Sequence, residues 1–253
     1  MTADQYVENV IAKYAVPRGQ NSPAEKLGAT VAGPIRTWAG QYLENLMYSG
    51  SYAKQTGVHG ASDVDLFISI KSDLNQPLKE IYSSLYNLAL KQRWEPREQN
   101  VSVGITVNGT RADLVPGKIQ EGYKNYHSLY LRKRDSWTQT NVNLHVDTVS
   151  RSDRLREIRA VKIWRLLHGL DFPSLYLELF TIQALSGHSK TTLADNVLHT
   201  LKTIGTSLPT TRIDDPANTN NILSDDITKQ EKEHIAGLAT ISAKQQSWGD
   251  IIW

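Results

Sequence analysis

The chain has 253 residues, 21% of them charged, with a formal net charge of +2 and no cysteine. That length buries a real core as one large domain or two modest ones without covalent staples. The missing cysteines exclude disulfides, thiolate nucleophiles and cysteine-ligated zinc, and the small net charge excludes a strongly basic nucleic-acid coat.

Met1 to Tyr14 is amphipathic and carries Asp4 and Glu8 without an uninterrupted apolar run, so it reads as neither a secretory signal nor a span. A cytoplasmic protein with no membrane partner is expected. Pro23 to about Tyr42 mixes Ala, Leu and Val with polar residues as a helix does, and Asn45–Ser49 is a short apolar run that stops at Gly50. Asp63 to Ile70 alternates with period two, Val64, Leu66, Ile68 and Ile70 on one face, Asp63, Asp65, Phe67 and Ser69 on the other. A helix from about Leu78 to Trp94 follows. Val101–Val107 and Arg111–Val115 flank Asn108-Gly109, a hairpin signal because both residues tolerate positive φ. Asp113 lies on the second arm.

From Asn141 onward the pattern is helical. Ser152 or Asp153 is placed to cap a helix that runs to His168 and ends at Gly169, and Pro173 opens another. Two or three more helices follow, interrupted by a polar loop from Thr206 to Asn221. The expectation is an α/β front half and an all-helical back half, without repeats. Arg132, Lys133 and Arg134 form one basic cluster; Arg151, Arg154, Arg156, Arg159, Lys162 and Arg165 form another, read as a solvated helix face except at Lys162. No two histidines sit three to five residues apart on a predicted helix, so histidine-bound zinc is not expected.

Residues two apart in a strand point the same way, so Asp63 and Asp65 set two carboxylates side by side. Such anions repel, and a fold accepts them most readily around a cation; the alternative is the wet side of an edge strand. Gly50-Ser51 ends the preceding strand and begins a helical turn, where bare amides and a hydroxyl can hold a triphosphate. A third carboxylate, Asp113, comes from a later strand. Three hard oxygen ligands suit Mg²⁺ or Mn²⁺. Two such ions about 4 Å apart would activate a hydroxyl and steady a pyrophosphate leaving group, which predicts nucleotidyl transfer from a nucleoside triphosphate.

Gly50-Ser51, Asp63-Val64-Asp65 and the strand with Asp113 together resemble the signature of DNA polymerase β-type nucleotidyltransferases. The string from Gly50 to Ile68 is similar to the branch that holds oligoadenylate synthetases, cyclic GMP-AMP synthase, bacterial CD-NTases and archaeal CCA-adding enzymes. Arg159-Ala-Val-Lys162-Ile-Trp164 resembles that branch's helix whose lysine contacts the triphosphate. Ser174-Leu-Tyr-Leu-Glu178-Leu resembles the helix after it, and Ile213 to Asn221 the family's Asp-Pro loop.

The resemblance implies an α+β fold: a polymerase-β-like catalytic domain over residues 1–140, with its N-terminal helices free to pack on the second domain, then a helical oligoadenylate-synthetase-like domain over 141–253. The active site is expected in the cleft between them. It implies metal binding and catalysis by Asp63, Asp65 and Asp113, and nucleotide contacts from Gly50, Ser51, Lys162 and Ser174. The implied activity is NMP transfer from NTP to a nucleotide hydroxyl, making a cyclic or linear oligonucleotide messenger, with anti-phage defence as its setting. An RNA or tRNA 3′-end nucleotidyltransferase is the alternative, and a nucleotide-binding module without catalysis a third reading. The expected partners are nucleoside triphosphates, with RNA or an activating protein left open, and the expected state is a monomer.

Lys162 also stands without the resemblance. At about 100° per residue it falls between Leu155, Ile158 and Leu166, an apolar flank where an ammonium needs an anion. A snorkelling lysine, or a pair with Glu178, is the competing account, and Glu178 itself reads as structural. Gly187–Thr192 lacks the first glycine of a P-loop and reads as a helix end and turn. His59 belongs to a flexible Gly57–Gly60 loop, and Tyr52, Trp164 and Tyr176 to core packing.

Overall fold

The computed structural model describes residues 1–61 and 63–253. In chain order the elements are α1 (Ala3–Lys13), α2 (Pro23–Ala39), β1 (Leu43–Tyr48), α3 (Gly50–Lys54), β2 (Val64–Ile70), α4 (Leu78–Lys91), β3 (Arg97–Glu98), β4 (Val103–Val107), β5 (Thr110–Gln120), β6 (Tyr123–Leu131) and β7 (Ser136–Thr140). Then come α5 (Val142–Ser150), α6 (Leu155–Leu167), α7 (Ser174–Ala184), α8 (Leu193–Ser207), β8 (Asp214–Asp215), β9 (Asn218–Ile222) and α9 (Lys229–Ser242). The chain forms two compact units. A sheet unit takes Pro17–Lys54 and residues 63–146; a helical unit takes Met1–Val16, Gln55–Ala61 and Asp147–Trp253.

In the sheet unit the strands run in the order β1-β2-β5-β4-β3, and β6 joins the far end of β5 and carries β7. The β2–β5 pair is parallel; its neighbours β1–β2 and β4–β5 are antiparallel. The β4–β5 hairpin closes on Asn108 (φ 50°) and Gly109 (φ 77°), the positive dihedrals its sequence predicts. Helix α2 begins at Ser22, whose side chain accepts from the Glu25 amide. In α4 the buried residues Ile81, Tyr82, Leu85 and Ala89 follow helical spacing.

Period two places β2 correctly but not its surroundings. The strand lies between β1 and β5 and is covered on both faces, with Phe67 and Ser69 as buried as Leu66 and Ile68. The second face has its own floor: Phe67 meets His127 edge-on at 4.8 Å, and Ser69 Oγ lies 2.7 Å from His127 Nε2. β6 and β7 carry no clear alternation, and their pairing follows from the register Lys118↔Ser128 and Ile119↔His127 set by β5.

The helical unit packs Val7 of α1, Val161 and Trp164 of α6, Tyr176 of α7 and Leu201 and Ile204 of α8 into one core. Three expectations change here. The back half is not all helical, because the Asp-Pro loop folds as the β8–β9 hairpin. Neither Ser152 nor Asp153 caps α6 with its side chain; Arg154 is the N-cap, and Ser152 Oγ accepts from the Arg154 amide. The basic run is not one solvated face either. Arg154 is 4% exposed, pairs with Glu157 and donates to the carbonyls of Leu185, His188 and Ser189, so it closes the turn after α7.

Candidate active site

β1 ends at Tyr48, and the Ser49 amide donates to the Asp65 carbonyl at 2.9 Å. The chain then reverses through Gly50, whose φ of +53° is open to glycine and strained for other residues. A Cβ placed on Gly50 would lie 1.8 Å from Asp65 Oδ2, so the Gly50-Ser51 turn rests directly on that carboxylate. The turn is anchored from behind. The Tyr48 and Tyr52 hydroxyls both donate to the Glu25 carboxylate at 3.1 Å, and Arg18 lies over the Tyr52 ring at 4.6 Å and donates to its carbonyl. Burial, with Glu25 as acceptor, pushes Tyr48 ionisation far upward and keeps it a donor.

Asp65 and Asp113 are register partners on the parallel strands β2 and β5. The same cross-strand row continues through Gly104 on β4 to Arg97 on β3. Gln99 Nε2 donates to Asp113 Oδ1 at 2.8 Å. Burial, and then the charge of Asp63, raise the Asp113 carboxyl above its ordinary range, while Gln99, Arg97 and Arg111 pull it back. Asp63 lies just before β2 and forms an ion pair with Arg111 at 3.0 Å. The three predicted carboxylates thus share the sheet unit, two of them adjacent and the third paired with an arginine. Among the described residues no three His, Asp or Glu side chains group closely enough to hold a metal ion.

A cleft of about 180 Å³ opens beside the row. Gly50, Lys54 and Asp65 contribute to its polar lining, Phe67, Val115 and Leu129 to its apolar lining, and Thr140 and His145 also line it. The cleft volume is below the roughly 300–1,000 Å³ of a whole-ligand pocket. Lys54 is 5% exposed and was not singled out from sequence. Its signal was spacing: four residues after Gly50 is one helical turn, which returns the side chain to the glycine's side.

The other predicted contacts lie in the helical unit. Lys162 is 1% exposed, with its ammonium 3.1 Å from Glu178 Oε1 and 3.4 Å from Thr56 Oγ1, and Thr56 donates to the same carboxylate at 2.6 Å. The pair with Glu178 that the sequence offered as the competing account is present, as an ammonium on an apolar flank requires an anion. Ser174 Oγ accepts from Arg165 Nη2 at 3.1 Å at the start of α7, and Arg165 also donates to the Phe172 carbonyl. Trp164 and Tyr176 are core residues, and Tyr52 is buried against Glu25. Gly187–Thr192 is the turn between α7 and α8, and His59 is exposed.

No protein-family model matches the chain, and no curated protein matches it. Solved structures do. E. coli MS115-1 CdnC with ATP aligns over 98% of this chain and 96% of its own at a TM-score of 0.79 and 17% identity. The Bradyrhizobium diazoefficiens CD-NTase CdnG with GTP aligns over 96% and 90%, at 0.80 and 10%. The fold is that of a CD-NTase. The Elizabethkingia meningoseptica CdnE cyclic dinucleotide synthase, with GTP and Apcpp, aligns over 97% and 100%, at 0.70 and 13%. CD-NTase folds therefore match almost the full length of both chains, at identities where backbone geometry alone is shared. Among the described residues no helix is long and apolar enough to cross a membrane.

Proposed function

We propose that the chain is a nucleotidyltransferase that joins nucleoside triphosphates into a cyclic or linear oligonucleotide. The observation that carries this reading is the Asp65–Asp113 pair, in register on adjacent parallel strands beneath the Gly50-Ser51 turn, in a CD-NTase fold. In the reaction an acceptor hydroxyl gives up its proton to solvent as its oxygen attacks the α-phosphorus of a triphosphate. The new O–P bond forms as the bond to the bridging oxygen of the β-phosphate breaks, and pyrophosphate leaves.

The residues fit a hard divalent ion. Every donor is a carboxylate oxygen, and burial and the charge of Asp63 both work against ionisation of Asp113, a cost that a cation removes. Asp63, Asp65 and Asp113 would hold Mg²⁺ or Mn²⁺, which when bound lowers the pKa of the attacking hydroxyl and neutralises charge on the departing pyrophosphate. Gly50 and Ser51 form the turn that would receive the phosphates, and Gly50 and Lys54 line the cleft. Phe67, Val115 and Leu129 keep water off one side of the cleft. Thr140 and His145 offer hydrogen bonds to the rest of the nucleotide. A role in anti-phage signalling follows from the resemblance, as does regulation by a protein partner.

Purified protein with Mg²⁺ and labelled triphosphates, without RNA, is expected to release pyrophosphate and yield small products identified by mass spectrometry. Label found only on added RNA would move the assignment to a 3′-end tailing enzyme. Protein inert with every triphosphate, metal and acceptor would leave a nucleotide-binding module.

A further inference from the structure

We infer that Gln99 is a positioning residue for Asp113, fixing through its amide which carboxylate oxygen is presented to the divalent ion; the inference rests on the reading above. Gln99 Nε2 donates to Asp113 Oδ1 at 2.8 Å. The direction of the amide is set from its other end. Ser102 Oγ donates to Gln99 Oε1 at 2.9 Å, and a hydroxyl donor there turns the NH₂ group toward Asp113.

The segment that carries the amide is pinned. The Gln99 amide donates to the Ser102 carbonyl at 3.1 Å, the Tyr82 hydroxyl lies 3.0 Å from the Gln99 carbonyl, and Arg132 Nε donates to that carbonyl at 3.1 Å. Tyr82 is itself 2% exposed and comes from α4. Helix α4, the loop before β4 and the turn after β6 all converge on the backbone of one glutamine.

Gly104 supplies an independent observation. It sits inside β4 directly opposite Asp113, and a glycine there weakens a strand. Its backbone is not among those with positive φ, so conformation does not call for glycine. Space does. A Cβ on Gly104 would lie 2.8 Å from Gln99 Nε2 and 3.3 Å from Asp113 Oδ1. The missing side chain is the passage by which Gln99 crosses β4 to reach the carboxylate.

The test titrates Mn²⁺ alone into wild-type, Gln99→Met and Ser102→Ala proteins, reading bound metal by electron paramagnetic resonance. Gln99→Met keeps chain length and loses the amide. It should weaken Mn²⁺ about tenfold or more and lower kcat, with KM for the triphosphate and the melting temperature little changed. Ser102→Ala should fall between wild type and Gln99→Met. A purely structural hydrogen bond would move the melting temperature and leave Mn²⁺ affinity at the wild-type value, and that result overturns the inference. Should Gln99→Met not fold, Ser102→Ala decides by the same titration. Wild-type protein that needs Gln99 for Mn²⁺ yet makes no product would sink the enzymatic reading and keep the positioning role. Wild-type turnover matched by Gln99→Met would do the reverse.

Discussion

Gly50 and Asp65 share one volume: the space a Cβ on the glycine would fill is already taken by the carboxylate, 1.8 Å away. Any side chain at residue 50 must displace Asp65 and also hold φ near +53°. Gly50→Ala should therefore cost about 1–3 kcal/mol of stability and reduce pyrophosphate release to background. Denaturant unfolding and a coupled pyrophosphate assay measure the two effects. Full activity in a folded Gly50→Ala protein would separate the turn from the chemistry.

Asp113 sets function against stability. The folded state raises its pKa, so it holds the proton more tightly than the unfolded chain does. Stability accordingly falls as pH rises from the ordinary carboxylate value through the raised one, and the full cost is present above it. Asp113→Asn cannot ionise. Without divalent metal it should melt higher than wild type at neutral pH, lose that advantage in acid below the ordinary value, and form no product. Thermal melts at the two pH values check the sign, and an equal or lower neutral melting temperature counts against it.

The pair Lys162–Glu178 predicts a stability defect where resemblance implies a binding defect. Both side chains are essentially unexposed, and removing one leaves the other charge buried. Lys162→Ala should cost about 3–5 kcal/mol, whereas Lys162→Met with Glu178→Leu should recover most of it. Chemical denaturation of the single and double variants decides. A Lys162→Ala protein of wild-type stability but weakened triphosphate binding would support the phosphate role.

Lys54 is the lysine of the cleft. A charge-assisted hydrogen bond contributes about 1.5–3 kcal/mol, so Lys54→Ala should raise KM for the triphosphate roughly tenfold or more with Mn²⁺ affinity unaltered. Steady-state kinetics beside a Mn²⁺ titration read both. An unchanged KM would place the triphosphate elsewhere.

Much of the sheet unit was legible in sequence because its signals are local. The Asn108-Gly109 turn, the β2 alternation and the Gly50 break each follow from backbone geometry within a few residues. The β6–β7 pair was not legible, since its register depends on β5 and its residues do not alternate. Gln99 escaped for a related reason: nothing in Arg97-Glu98-Gln99 marks a partner until β4 brings Gly104 opposite Asp113.

From sequence alone came the three carboxylates, their oxygen-only chemistry and the strands that bear Asp65 and Asp113, because strand periodicity and side-chain type are properties of short segments. Tertiary structure decided which groups meet. It set Asp65 beside Asp113 through a parallel pairing and gave Asp63 to Arg111. It closed Lys162 on Glu178 and aimed Gln99 through the gap at Gly104. Each of those partners is chosen by burial and register between distant segments, where an unpaired charge costs most and where one-dimensional spacing carries no information.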